Sequence, residues 1–268
     1  MKAHKKIDFA ELSVVWEFYE KNGLNASVAN FIVNIIRSKV LVVGSGQGVF
    51  CSELIKAGFE VTGLEREQEM AVAALERRGM ESVVIDFFDF LSPIRYETIV
   101  LSTGLIDDLT ALDDQYLDSL LVHCKRLLAS DGKLVIAFFN HTPWIDYAES
   151  LGLYDKPSRN QLLWDYRDDL SLGIKSLKKS SSSALKMEYY EGVLREHAKM
   201  IVNIGHMYNE KTGRNPRSFI GKYTGFYPYD LQDRSKSNLR CRIRANGFCL
   251  EKDLLFNAGD TGVFVCGC

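Results

Sequence analysis

Apolar positions along this chain switch between helical and strand spacing, and the switches mark its elements. Val28, Phe31, Ile32, Ile35 and Ile36 recur at three- and four-residue steps, predicting helix within residues 8–37 with Asn25 or Ser27 as a cap. An earlier segment carrying Leu12, Val15, Trp16 and Tyr19 predicts a preceding helix. Val40-Leu41-Val42-Val43 then forms an unbroken apolar run, the mark of a strand covered by helices on both faces. Helical spacing returns with Val49, Phe50, Leu54 and Ile55, and Val61 to Leu64 reads as a second strand ending in Glu65. A helix through Met70, Ala73 and Leu75 stops near Gly79, a third strand spans Ser82 to Ile85, and a fourth spans Thr98 to Ser102. Leu117, Leu120, Leu121, Cys124, Leu127 and Leu128 mark an amphipathic helix, which Asp131-Gly132 turns into a fifth strand, Lys133 to Phe139.

Regular alternation of strand and helix predicts a doubly wound α/β fold with a mostly parallel sheet. The pattern breaks after Asn140. Residues 141–229 hold no clear strand, include Lys178-Lys179-Ser180-Ser181-Ser182-Ser183, and carry one long helical stripe from Tyr189 to Tyr208. A helix with Leu239, Cys241 and Ile243 follows, then two strands, Cys249 to Phe256 and Gly262 to Cys266, whose short link makes them antiparallel. The expected organisation is N-terminal helices over residues 1–37 covering the site and an α/β domain over 38–140 and 230–268. Residues 141–229 form a helical cap that carries the substrate side, because an insertion at the carboxyl end of strand five emerges where open α/β sheets bind ligands.

Composition narrows the class. The chain has 268 residues, 46% hydrophobic and 25% charged, enough to bury a large core. A net charge of −2 gives no footprint for nucleic acid or an anionic membrane. No apolar run reaches the roughly 20 residues that span a bilayer, so a cytoplasmic protein is expected. Six cysteines show no paired CxxC spacing, so no metal site is expected. Cys51, Cys124 and Cys241 fall on apolar helix faces, and the thiols are expected to be reduced and mostly buried.

The chemistry is concentrated after the first strand, in Gly44-Ser45-Gly46-Gln47-Gly48. Glycines there let the backbone turn tightly and approach a ligand closely. Glu65 lies about 20 positions further on, where an acidic side chain grips a ribose diol in nucleotide-binding βαβ units. The spacing is G-x-G-x-G, with Val49 where the dinucleotide fingerprint requires its third glycine, and no Lys-Ser/Thr pair marks a P-loop.

The chain resembles the class I S-adenosylmethionine-dependent methyltransferases over residues 38–139 and again over about 230–268. The motifs that carry the resemblance are Val40 to Gly48, Val61-Thr62-Gly63-Leu64-Glu65, Val83-Val84-Ile85-Asp86-Phe87, Tyr96 to Ser102, Leu127 to Val135 and Ala245-Asn246-Gly247-Phe248. The resemblance implies a Rossmann-like, seven-stranded sheet with an antiparallel last strand, and S-adenosyl-L-methionine as cofactor. It also implies roles: Gly44, Ser45, Gly46 and Gly48 beneath the methionine part, Glu65 on both ribose hydroxyls with Arg66 beside it, Asp86 on the adenine amino group, and Phe87 bordering the ring. Ser102 and Thr103 would lie near the sulfonium. Competing readings make Glu65 a solvated strand end, Asp86 a turn cap and Phe87 a core residue. One departure is Val42, where the family often has an acidic anchor for the cofactor's amino group; Tyr19 is a substitute from the N-terminal helices.

Methyl transfer to a small molecule is the expected reaction. Asn140 and His141, at the end of strand five, and Tyr147 beyond them are the candidate catalytic residues on the acceptor side. His197 falls within an apolar stripe and reads as core, and Tyr223, Phe226, Tyr227 and Tyr229 form either a pocket wall or packing. Two alternatives stand: an enzyme that transfers or cyclises the aminoalkyl arm of the cofactor, and a non-catalytic binding protein. A nicotinamide oxidoreductase is more remote.

Overall fold

The computed structural model describes residues 24–37, 39–102, 114–139, 236–256 and 261–267, with a few single positions besides. Two compact units divide the chain: Asn22–Asn140 with Asp233–Cys268, and Met1–Lys21 with His141–Gln232. The first unit holds nearly all the described residues. The expected cap over 141–229, the helix before Leu24 and residues Tyr19, Thr103, Asn140, His141, Tyr147, His197, Tyr223, Phe226, Tyr227 and Tyr229 lie outside the described residues.

The elements in chain order are α1 (Leu24–Val33), β1 (Lys39–Val43), α2 (Val49–Lys56), β2 (Glu60–Glu65), α3 (Gln68–Arg78), β3 (Ser82–Val84), β4 (Tyr96–Leu101), α4 (Asp114–Leu127), β5 (Leu128–Phe139), α5 (Lys236–Ala245), β6 (Cys249–Phe256) and β7 (Thr261–Gly267). They build one seven-stranded sheet in the order β3-β2-β1-β4-β5-β7-β6. Strands β1 to β5 pair in parallel, and β7 runs antiparallel to both of its neighbours.

The apolar run of β1 is explained by its central position. Side chains of a strand alternate between faces, and this sheet is covered on both. Leu41 and Val43 join Ile99, Leu101, Leu134 and Ile136 under the apolar stripes of α4 and α5. Val40 and Val42 join Val100 and Val135 under Val28 and Ile32 of α1, Leu54 of α2 and Ala74 of α3. The four apolar side chains of β1, Val40 to Val43, are essentially inaccessible to solvent. At about 25 cal/mol per Å² of apolar surface, these two layers are the main drive for folding.

Several expectations shift. Asn25 and Ser27 lie inside α1, so neither is its cap. Strand β5 begins at Leu128, not Lys133: Tyr96 pairs with Leu128 and Thr98 with Lys133, so the chain bulges through Asp131-Gly132 instead of turning there. Ile55 and Leu75 are exposed, while Cys51 and Ala74 take the inward positions on α2 and α3. Cys51, Cys124 and Cys266 are buried as expected, but Cys241 and Cys249 are exposed.

Strand order reverses between β1 and β4, because β2 and β3 add on one side of β1 and β4 on the other. A crevice opens at such a switch point outside the carboxyl ends of the strands. Gly44, Glu65, Ile85 and Ser102 are the residues at or just past the carboxyl ends of β1, β2, β3 and β4.

Candidate functional site

The turn after β1 is built for close backbone approach. Gly44, Gly46 and Gly48 have φ of 70°, 54° and 78°, a region that costs residues with a β-carbon roughly 1–2 kcal/mol each. A β-carbon on Gly46 would meet one described atom within 4 Å, Met70 Cε at 3.6 Å, so the outer side of the turn stands open among the described residues. On its inner side the turn is pinned. Ser45 donates its N–H to Leu64 O at 2.8 Å, and its hydroxyl lies 2.9 Å from that of Ser82. Ser102 donates its hydroxyl to Gly44 O at 2.6 Å, and its N–H to Val43 O. Gly48 is the N-cap of α2 and packs against α3 and the segment after it: a β-carbon there would lie 2.8 Å from Met80 Sδ and 3.2 Å from Ala74 Cβ.

Glu65 joins this turn to the end of β2. Its Oε2 accepts from Gly46 N at 2.7 Å and its Oε1 from Glu67 N at 3.0 Å. Burial pushes its pKa up, and the N–H groups of Glu67, Gly46 and Arg66 oppose that shift. A carboxylate offers about four lone-pair positions, so acceptor capacity remains on both oxygens. Arg66 is exposed and donates to Glu67 Oε1 at 3.0 Å.

After β3, Asp86 caps the short 3₁₀ turn Phe87–Asp89, its Oδ1 accepting from Phe88 N at 3.0 Å. Phe87 is buried in the core beneath α4, where His123 meets its ring edge-on with centroids 4.7 Å apart. The capping and core readings therefore hold for these two residues. Asp86 keeps its other carboxylate oxygen and is only half-buried.

Three residues of the site had not been singled out. Gln47 is buried, with Arg77 donating to its side-chain oxygen at 3.0 Å and Arg78 to its carbonyl at 3.1 Å. Gly63, inside β2, is where Ser45, Cys51 and Met80 crowd the strand: a β-carbon would overlap Met80 Cε and lie 3.1 Å from Ser45 Cβ. A glycine inside a strand signals such an approach. His123 interrupts an apolar helix face, and that polar intrusion was its signal.

Cys51 in α2 is no nucleophile, since burial pushes its thiol up to about 12. Among the described residues no group of three His, Cys, Asp or Glu side chains is placed to hold a metal ion, and no helix is long and apolar enough to cross a membrane.

Strand order, the left-handed glycine turn and the half-buried carboxylate opposite it define a Rossmann-like domain with its crevice at the carboxyl ends of the strands. A family model for a methyltransferase domain matches residues 41–136. The ubiquinone biosynthesis O-methyltransferase of Nitrosococcus oceani is 27% identical over 144 residues, 50% of this chain and 61% of that protein, so the chain matches less than two thirds of that relative. Two solved structures share the fold: magnesium protoporphyrin IX methyltransferase (ChlM) from Synechocystis PCC 6803 with bound S-adenosylhomocysteine, and the pyocyanin biosynthetic protein PhzM. ChlM superposes with a TM-score of 0.52 at 12% identity, covering 99% of this chain and 90% of its own. PhzM gives a TM-score of 0.52 at 14% identity, covering 93% and 56%. Over residues 41–136 the chain is thus similar to a methyltransferase domain, a class that draws on S-adenosylmethionine.

The residues fit that cofactor. Among the described residues the outer side of Gly46 is open, and the acceptor capacity left on the Glu65 carboxylate suits hydroxyl donors.

Proposed function

We propose that this chain transfers the methyl group of S-adenosylmethionine to a small-molecule acceptor. The observation that carries this reading is the half-buried Glu65 carboxylate, held by Gly46 N and Glu67 N against a turn of three left-handed glycines at the switch point of the sheet. Its two oxygens accept the ribose hydroxyls, while Gly44 to Gly48 pass beneath the methionine part and Arg66 borders the site. Asp86, through the oxygen not engaged with Phe88 N, accepts from the adenine amino group. Phe87 contributes from below by fixing that segment, since its ring is buried in the core. Ser102, Thr103 and Tyr19 complete the cofactor side.

When bound, the cofactor supplies a methyl group already activated on a sulfonium. The chain's task is then alignment and exclusion of water, and alignment alone is worth roughly 7–11 kcal/mol. Asn140 and His141, which follow β5 directly in sequence, and Tyr147 are the proposed acceptor-side residues. An acceptor that arrives protonated needs one of them as base. The net charge of −2 supports a small molecule over nucleic acid as acceptor. A cytoplasmic setting belongs to the same reading, supported by the free thiols of Cys241 and Cys249 at the surface.

A second reading, transfer or cyclisation of the aminoalkyl arm, is favoured by Val42, whose side chain is buried in the apolar layer under α1 and α2 and offers the cofactor's amino group no carboxylate. Product analysis after incubation with labelled cofactor and a metabolite extract decides between them. S-adenosylhomocysteine supports methyl transfer, methylthioadenosine supports the aminoalkyl route, and absence of either product overturns both.

A further inference from the structure

We infer that His123 is a positioning residue for adenine recognition: from α4 it holds the segment Asp86–Phe90 so that the Asp86 carboxylate faces the adenine amino group. The inference rests on the adenosyl site proposed above. His123 is buried and makes three contacts with this one segment. Its ring meets Phe87 at 90° with centroids 4.7 Å apart, and lies 6.2 Å from that of Phe88. Its Nε2 lies 3.1 Å from Phe90 O.

A carbonyl only accepts, so Nε2 carries the proton. Both the neutral Nε2–H tautomer and the imidazolium satisfy this bond, so the grip does not depend on the charge of the ring. The edge-on contact with Phe87 is the arrangement that aromatic quadrupoles favour. Together the two contacts fix both ends of the turn that Asp86 caps: Phe87 at its start, and Phe90, which closes it by donating its N–H to Phe87 O. Among the described residues the Asp86 carboxylate accepts from Phe88 N, and the Asp86 carbonyl from Asp89 N at 3.0 Å. Its carboxylate is therefore aimed by a backbone segment, and that segment is held by His123. Leucine at this position would fill the space under Phe87 and leave Phe90 O without its donor.

The test compares His123→Gln, His123→Asn and His123→Leu. The glutamine amide nitrogen reaches about as far as Nε2, whereas that of asparagine stops near the position of Nδ1, so only glutamine can restore the bond to Phe90 O. Calorimetric titration of each folded variant is run with S-adenosylhomocysteine and with S-inosylhomocysteine, which carries an oxygen in place of the adenine amino group. Wild type is expected to prefer the adenosyl compound by about tenfold or more, the scale of a hydrogen bond to a charged acceptor. His123→Leu and His123→Asn should lose most of that preference, and His123→Gln should keep it to within about threefold. Unchanged preference in His123→Leu, or equal preference in the Gln and Asn variants, overturns the inference while leaving the adenosyl site intact. Should wild type bind neither compound, the proposed function falls and the inference with it. If the leucine variant does not fold, the Gln–Asn comparison decides alone.

Discussion

Glu65 Oε2 accepts the backbone N–H of Gly46 at 2.7 Å, across nineteen positions of sequence, so the acidic end of β2 and the glycine turn after β1 form one unit. The ribose-binding carboxylate of the proposed site thus also holds the shape of the turn that faces the rest of the cofactor. Removing it acts on stability and on binding together.

Replacing Glu65 with glutamine leaves one acceptor oxygen and points an NH₂ group at one of the two backbone donors. The expected loss in S-adenosylhomocysteine affinity is about 1.5–3 kcal/mol, the scale of hydrogen bonds to a charged group. Calorimetry would register it as a rise in Kd of at least about tenfold, and the melting temperature should fall as well. Equal affinity for wild type and Glu65→Gln would remove Glu65 from the site.

Acidity separates the two roles of this carboxylate. Burial raises the Glu65 pKa above the ordinary glutamate range, so the folded protein holds that proton more tightly than the unfolded chain does. Its contribution to stability is full below the ordinary glutamate value and is lost as pH rises through the raised one. The stability difference between wild type and Glu65→Gln should therefore shift against wild type with rising pH across that window, in urea titrations between about pH 4 and 8. Affinity for S-adenosylhomocysteine should run the other way, strengthening in wild type as the carboxylate ionises and staying flat in the variant.

Backbone strain and packing can be told apart with two glycines. Gly58 has φ of 91° with open space where a β-carbon would go, whereas at Gly48, with φ of 78°, it would press on Met80 Sδ and Ala74 Cβ. Gly58→Ala should cost only the strain, about 1–2 kcal/mol. Gly48→Ala should cost about 1–3 kcal/mol more through overpacking, and should also weaken S-adenosylhomocysteine binding. Chemical denaturation of the two variants measures the difference.

Asp86 combines a cap and a proposed adenine contact, and serine retains only the first. Asp86→Ser should keep an acceptor for Phe88 N and remain within about 0.5 kcal/mol of wild-type stability, while Asp86→Ala should lose about 1 kcal/mol. Both should bind S-adenosylhomocysteine several-fold more weakly, because both lack the carboxylate. If serine restored binding along with stability, Asp86 would be a turn cap and nothing more.

The centre of the sheet was legible in the sequence because β1, β4, β5 and β7 are buried on both faces. Val40 to Val43 and Ile99 to Leu101 read as unbroken apolar runs for that reason, and the glycines and Glu65 stand at the strand ends where a crevice must open. What periodicity missed are choices made by neighbours. Nothing local shows that Asp131-Gly132 bulges within β5, since the bulge exists only relative to Tyr96 and Thr98 of β4. Cys241 has the hydrophobicity of an inward residue, yet Leu239 and Ile243 occupy the covered side of α5 and leave it outside. Gln47 sits at an unconstrained position between glycines, and only the end of α3, with Arg77 and Arg78, gives it partners. Phe87 and Asp86 were ambiguous for a related reason: a phenylalanine or an aspartate after a strand serves core, cap or ligand equally well until the facing helix is known.

The most direct measurement of the central claim is calorimetric titration of the purified chain with S-adenosylhomocysteine, alongside NAD. The account predicts one site per chain for S-adenosylhomocysteine and a stabilisation against unfolding of about 2.7 kcal/mol at a hundredfold excess over Kd, with no response to NAD. Stabilisation by NAD with no heat from S-adenosylhomocysteine would contradict it.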